Sequence, residues 1–198
     1  MIQSGHFGPV RDTLLLEINF FVEPVPYTCM PIQSLIAEYF IRVGIFDPIM
    51  EYELKPFKLL VLDYRKTFIE KILSLAYAGL KDGSDSMVET RLRVRHFYDL
   101  TVLFRQADVK EFFESDKFEE WIQEVRQEEK LSTRLKWIHD RLSDAPLFKN
   151  TFQILDSVER FFKPDLDPLM FTSQDLPPFS EVRTCFKRIS ESVNLLGL

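Results

Sequence analysis

Residues 64–83 read YRKTFIEKILSLAYAGLKDG, and the spacing of their apolar side chains decides the fold class. Phe68, Ile69, Ile72, Leu73, Leu75, Ala76 and Leu80 recur at helical intervals, which predicts a helix that buries one broad stripe. Arg65, Glu70 and Lys71 lie off that stripe or at its border. From here the chain reads as helical to its end. ETRLRVRHFYDLTVLFRQA (89–107), DVKEFFESDKFEEWIQEVRQEEKL (108–131), STRLKWIHDRL (132–142), TFQILDSVERFF (151–162) and SEVRTCFKRISESVN (180–194) are the further helices, the last with Ser180 as expected N-cap. KDGSDS (81–86) reads as a connector, and the Pro-rich KPDLDPLMFTSQDLPPF (163–179) as a long connection.

Upstream the pattern changes. TLLLEINFFVEP (13–24) reads as a strand that stops at Pro24 and Pro26. Alternation sets Leu14, Leu16, Ile18 and Phe20 on one face, and Leu15, Glu17, Asn19 and Phe21 on the other. MPIQSLIAEYFIRVG (30–44) is expected to be a helix capped by Gly44, and YELKPFKLLVLD (52–63) a second extended segment. The fold class is therefore α+β and mostly helical, with a strand-containing region over 1–62 and a helical region over 63–198.

The chain has 198 residues, 14% of them aromatic, and its 19 phenylalanines predict a Phe-rich core. Net charge is −6 and the pI about 5.2, which excludes a generally basic nucleic-acid binder; any nucleic acid must meet a local basic patch. Cys29 and Cys185 have no CxxC partner and read as buried apolar thiols in a reducing compartment. No signal-peptide pattern opens the sequence, and no run of about 18 apolar residues interrupts it, so no membrane is expected and the cytoplasm is the default location.

His6, His96 and His139 lack companions at metal-ligand spacing, and GxSxG, P-loop and GxGxxG motifs are absent. What remains is Glu17 at mid-strand, Lys71 on one helix, and Arg95, His96 and Asp99 on the next. A carboxylate at mid-strand is costly unless solvated, paired or bound to a cation. Lys71 and the 95–99 turn can meet across a helical hairpin, where cations can hold phosphates. The same residues also fit a plain arrangement, in which Arg95–Asp99 is an intrahelical ion pair and Lys71 an exposed lysine beside Glu70.

Three segments in order, LLLEIN (14–19), VLDYRKTFIEKILSL (61–75) and RVRHFYDL (93–100), together resemble the AbiEii family, and LDPLMFTSQDLPPFSEV (166–182) resembles that family's C-terminal end. The family comprises nucleotidyltransferase-like toxins of type IV toxin–antitoxin and phage-defence systems. The resemblance implies a nucleotidyltransferase fold with a helical C-terminal domain, use of an NTP and Mg²⁺, transfer of nucleotides onto RNA (in some cases tRNA), and a cognate antitoxin as partner. It implies that Glu17 is a third metal carboxylate, that Lys71 and Arg95 contact the nucleotide, and that Lys71, Arg95, His96 and Asp99 form the catalytic set. His96 stands where relatives carry Asp.

The family also carries a Gly-Ser motif and an SxDxD motif upstream of the position matched by LLLEIN, and neither is present here. Nucleotidyl transfer assisted by Mg²⁺ needs clustered carboxylates. The chain is therefore expected to be the C-terminal two-thirds of such a protein and inactive by itself, with a homodimer through an exposed strand 14–21. The alternative is a non-catalytic helical module, or a decayed remnant, that binds a protein partner.

Overall fold

The computed structural model describes residues 25–80, 84–131, 141–170 and 176–198. Glu17, the strand 14–21 with its expected dimer contact, His6, His139 and most of the helix expected over 132–142 lie outside the described residues. The chain divides into two compact units, and among the described residues their boundary falls between Lys66 and Thr67.

The smaller unit holds β1 (Tyr27–Ile32), α1 (Leu35–Val43), α2 (Asp47–Glu51) and β2 (Phe57–Leu62). The two strands pair antiparallel, in a register running from Tyr27 opposite Leu62 to Ile32 opposite Phe57. The sequence reading placed 30–32 in a helix; here they end β1. Helix α1 starts only after Ser34, whose hydroxyl accepts from the Ala37 N–H at 3.1 Å. It stops at Gly44, as expected. Gly44 adopts φ 74°, its N–H reaches the Ile41 carbonyl, and the Ile45 N–H reaches the Phe40 carbonyl. This is a Schellman cap, for which glycine suits the left-handed position. Cys29 is exposed, contrary to the expectation of two buried thiols. Strand position explains it, because β1 is exposed at every residue but its last.

Helix α3 (Tyr64–Ala78) confirms most of the opening stretch; Leu80, expected on its stripe, lies in the turn beyond its end and is half-buried. Phe68, Ile69, Ile72, Leu73, Leu75 and Ala76 are all buried. The larger unit continues with α4 (Ser84–Leu92), α5 (Val94–Leu103), α6 (Ala107–Phe113), α7 (Asp116–Leu131), α8 (Pro146–Lys149), α9 (Thr151–Leu166) and α10 (Phe179–Leu195). Two expected single helices are each broken. The first divides at Arg93, which has φ −106° and ψ 17°, and the second at Glu114 and Ser115. Ser84–Ser86, expected in a connector, open α4 instead. The N-cap of α10 is Pro178 rather than Ser180, which lies inside the helix. Pro178 has the extended conformation of a cap residue and leaves the first helical N–H without a side-chain acceptor.

The core of this unit is built on phenylalanine. Phe68, Phe97, Phe118, Phe162 and Phe186 are among its largest fully buried side chains. Phe97 and Phe186 bring their ring centroids to 4.6 Å, and Phe104 meets Phe113 edge-on at 5.2 Å. Cys185 lies in this core as a free thiol, and burial pushes its pKa up to about 12. Around the rim, Arg91 reaches Asp165 and Arg105 reaches Glu181 through paired hydrogen bonds of 2.7 and 2.8 Å. The molecule is thus α+β and mostly helical, with a small antiparallel sheet.

Candidate functional site

Packing of α3 against α5 follows from their apolar positions. Phe68 and Ile72 on one helix, and Phe97 and Leu100 on the other, belong to one buried cluster. Lys71 and Asp99 flank those positions, so burial of the apolar neighbours carries the two charged groups toward each other. The Lys71 ammonium donates to Asp99 Oδ2 at 2.7 Å, across 28 residues of sequence. Their side chains are 19% and 23% exposed, so the pair is sheltered without being sealed from water.

Two more side chains converge on the same oxygen. Arg95 Nε lies 4.0 Å from Asp99 Oδ2, one helical turn away, and its side chain is 68% exposed. His96 Nδ1 lies 3.9 Å from it, beyond hydrogen-bond distance, and this buried nitrogen has no partner. Arg93, which begins the RVRHFYDL stretch, adds a second tie between the helices: its Nε donates to the Ser74 hydroxyl at 3.3 Å, and its guanidinium pairs with Glu89. Sequence reasoning gave Arg93 no task, and only its neighbourhood to Arg95 could have suggested one.

Burial works to raise the Asp99 pKa. The nearby His96 ring, the Lys71 hydrogen bond and the charges of Lys71 and Arg95 outweigh that, and hold the carboxyl below its ordinary value. Asp99 is thus a carboxylate fixed by cations. Of the plain arrangement, the intrahelical Arg95–Asp99 pair is present at 4.0 Å, but Lys71 is sheltered and paired with Asp99 rather than exposed beside Glu70. Arg91, four residues before Arg95, pairs with Asp165 on α9; it belongs to α4, which the break at Arg93 separates from α5.

Chemically, the cluster joins one fixed cation, Lys71, and one exposed cation, Arg95, to a single carboxylate, with an imidazole beside them. An ammonium carries three N–H donors and a guanidinium five, and Asp99 engages Lys71 through one oxygen. Such a donor set suits an anion. It does not suit the Mg²⁺ implied by the sequence resemblance, because a divalent ion needs several oxygen ligands and Asp99 alone supplies them here. Among the described residues, no group of three or more His, Cys, Asp and Glu side chains could hold a metal ion.

Among the described residues no helix is long and apolar enough to cross a membrane. No curated protein and no solved structure matches the chain. The family model described as "Nucleotidyl transferase AbiEii toxin, Type IV TA system" matches residues 1–184. That match spans both units and the whole Lys71–Asp99 cluster, and the chain therefore belongs to the AbiEii family of nucleotidyltransferase toxins of type IV toxin–antitoxin systems.

Proposed function

We propose that the α3–α5 cluster grips the triphosphate of an NTP in a nucleotidyl transfer onto RNA. Lys71 and Arg95 are the phosphate contacts. Asp99 is the positioning residue that holds the Lys71 ammonium in place, and His96 borders the bound phosphate. The observation that carries this reading is the convergence of Lys71, Arg95 and His96 on one oxygen of Asp99. A purely structural tie between two helices needs one cation for one carboxylate. A second, largely exposed cation on the same oxygen leaves positive charge facing water, where a polyanion can meet it.

In this reading Glu17, outside the described residues, is this chain's candidate carboxylate for the metal implied by the family; the SxDxD pair is absent from the sequence, so the chain by itself holds the nucleotide without transferring it. The reaction takes place in the cytoplasm, where NTPs and RNA are found, and a cognate antitoxin is the protein partner.

The test is calorimetric titration of the full chain with each NTP, without added metal. Lys71→Met is expected to weaken binding at least about tenfold, or about 1.4 kcal/mol, with an unchanged helical circular-dichroism spectrum. Arg95→Gln should weaken it less, because an exposed cation contributes less than a sheltered one. Equal affinity in wild type and Lys71→Met would leave the cluster as a structural tie and sink the proposal.

A further inference from the structure

The second feature lies at the other end of the helical unit, on the surface where α10 finishes beside the start of α7. A groove of about 380 Å³ opens there. Phe113, Leu195 and Leu196 supply its apolar part, and Asp116, Glu119 and Glu191 stand around it. Leu195 is 86% exposed and Leu196 is 41% exposed.

Two adjacent exposed leucines in the last turn of a helix commonly fray. Here the turn is fixed. Gly197 takes φ 64°, its N–H reaches the Asn194 carbonyl, and the Leu198 N–H reaches the Val193 carbonyl. These are the two hydrogen bonds of a Schellman cap. Leu198 itself is buried with Val193 in the core, and its carbonyl accepts from the Ser143 N–H at 2.7 Å. The cap therefore pins the last residue inward, and by the same geometry holds Leu195 and Leu196 outward. A preformed apolar surface of this kind loses little entropy when something covers it.

The charge around it selects the occupant. Among the described residues Arg188 is the one cation lining the groove, and it is engaged by Glu114 at 2.5 Å, while Lys187 beside the groove lies 3.8 Å from Glu191. Asp116 and Glu119 are left in excess, so the groove carries a negative surplus. A nucleic acid would be repelled by that surplus. A second copy docked face to face would set the same carboxylates against each other.

We propose that this groove docks a segment of another protein that carries an apolar side chain flanked by Lys or Arg. The apolar side chain packs on Phe113, Leu195 and Leu196, and its basic flanks meet Asp116, Glu119 and Glu191. The surface lies on residues apart from Lys71 and Asp99, so the proposal stands or falls independently of the nucleotide reading.

The experiment pans the immobilised full chain against a random peptide library, then titrates the selected peptides against wild type, Leu195→Ser and the Glu119→Gln, Glu191→Gln double variant. The expected peptides carry Leu, Ile or Phe between basic residues. Leu195→Ser should weaken them at least about tenfold, the size of an interface hot spot. The double variant should weaken them too, and added salt should weaken wild-type binding. Leu195 is exposed, so its replacement leaves the fold intact, which circular dichroism verifies. The proposal is overturned if no peptide is selected, if the selected peptides lack basic residues, or if Leu195→Ser binds them as wild type does. It is equally overturned if wild type self-associates and Leu195→Ser does not, since the occupant is then a second copy.

Discussion

The two units of this chain are both rich in apolar residues, yet they use them in opposite ways. In the helical unit, long helices such as α3 and α5 turn an apolar stripe toward a common centre, and every member of the main core cluster comes from residues 68–198. In the unit of β1, α1, α2 and β2, only Ala37 and Ile49 are buried apolar residues among the described residues. Sixteen large apolar side chains there are exposed, from Val25 to Tyr64, against six in the helical unit among the described residues. The difference shows that apolar content is not a core. A two-stranded sheet with two short helices has too few layers to enclose its own side chains, and so many exposed together form more than the scattered apolar surface of an ordinary monomer.

The comparison breaks most visibly at Phe97. Its ring is fully buried and lies 4.6 Å from that of Phe186, which joins α5 to α10. Phe97→Ala should cost about 3–5 kcal/mol, from lost burial and the cavity left behind. Urea denaturation followed by helical circular dichroism measures it. A cost below about 1 kcal/mol would mean that the helical unit is no better packed than its neighbour.

Asp99 sharpens the comparison at intermediate scale, because it places a charge beside that same core. Asp99→Ala leaves the sheltered Lys71 ammonium without its partner and should cost about 1–3 kcal/mol at neutral pH, more than the ~0–1 kcal/mol of an exposed pair. The pH dependence has a definite sign. The carboxyl is held below its ordinary value of 3.8 in the folded state, so its contribution is complete above 3.8 and is lost as pH falls through the lower folded value. The stability difference between wild type and Asp99→Ala should therefore shrink in strong acid. A difference that does not change on acidification would show that Asp99 acts through packing alone.

How much of this was legible beforehand depends on the range of the interaction. The stripe from Phe68 to Ala76 was legible because helical periodicity is written locally, and so was the Gly44 cap. β1 was not, since Met30, Pro31 and Ile32 precede a genuine helix and extend its apolar pattern by one turn. The break at Arg93 left no trace, because neither glycine nor proline marks it. The Lys71–Asp99 pair was legible as one arrangement a helical hairpin allows, beside the plain one, and as a family expectation. Its physical cause is the burial of Phe68, Ile72, Phe97 and Leu100 in one cluster, a long-range event that spacing along the chain does not encode. The groove at Leu195 and Leu196 went unseen for the same reason: its walls come from α7 and α10, which are far apart in sequence.

The smallest effect is expected at Leu60, and it tests the weaker half of the comparison. Leu60 sits in β2 opposite Cys29 and is 64% exposed. Threonine is β-branched, which suits a strand, so Leu60→Thr removes apolar surface without disturbing the pairing. If the side chain is as open to water as its exposure indicates, little burial is lost, and stability should change by no more than about 0.5 kcal/mol. Amide hydrogen exchange read residue by residue across β1 and β2 measures this within the small unit, where a global melt would be dominated by the helical core. The value of the substitution lies in its contrast with Phe97→Ala: both remove a large apolar side chain, one fully enclosed and the other 64% exposed. A loss above about 1 kcal/mol at Leu60 would place it in the range of an enclosed residue, and would mean that the apolar face of β2 is covered in solution.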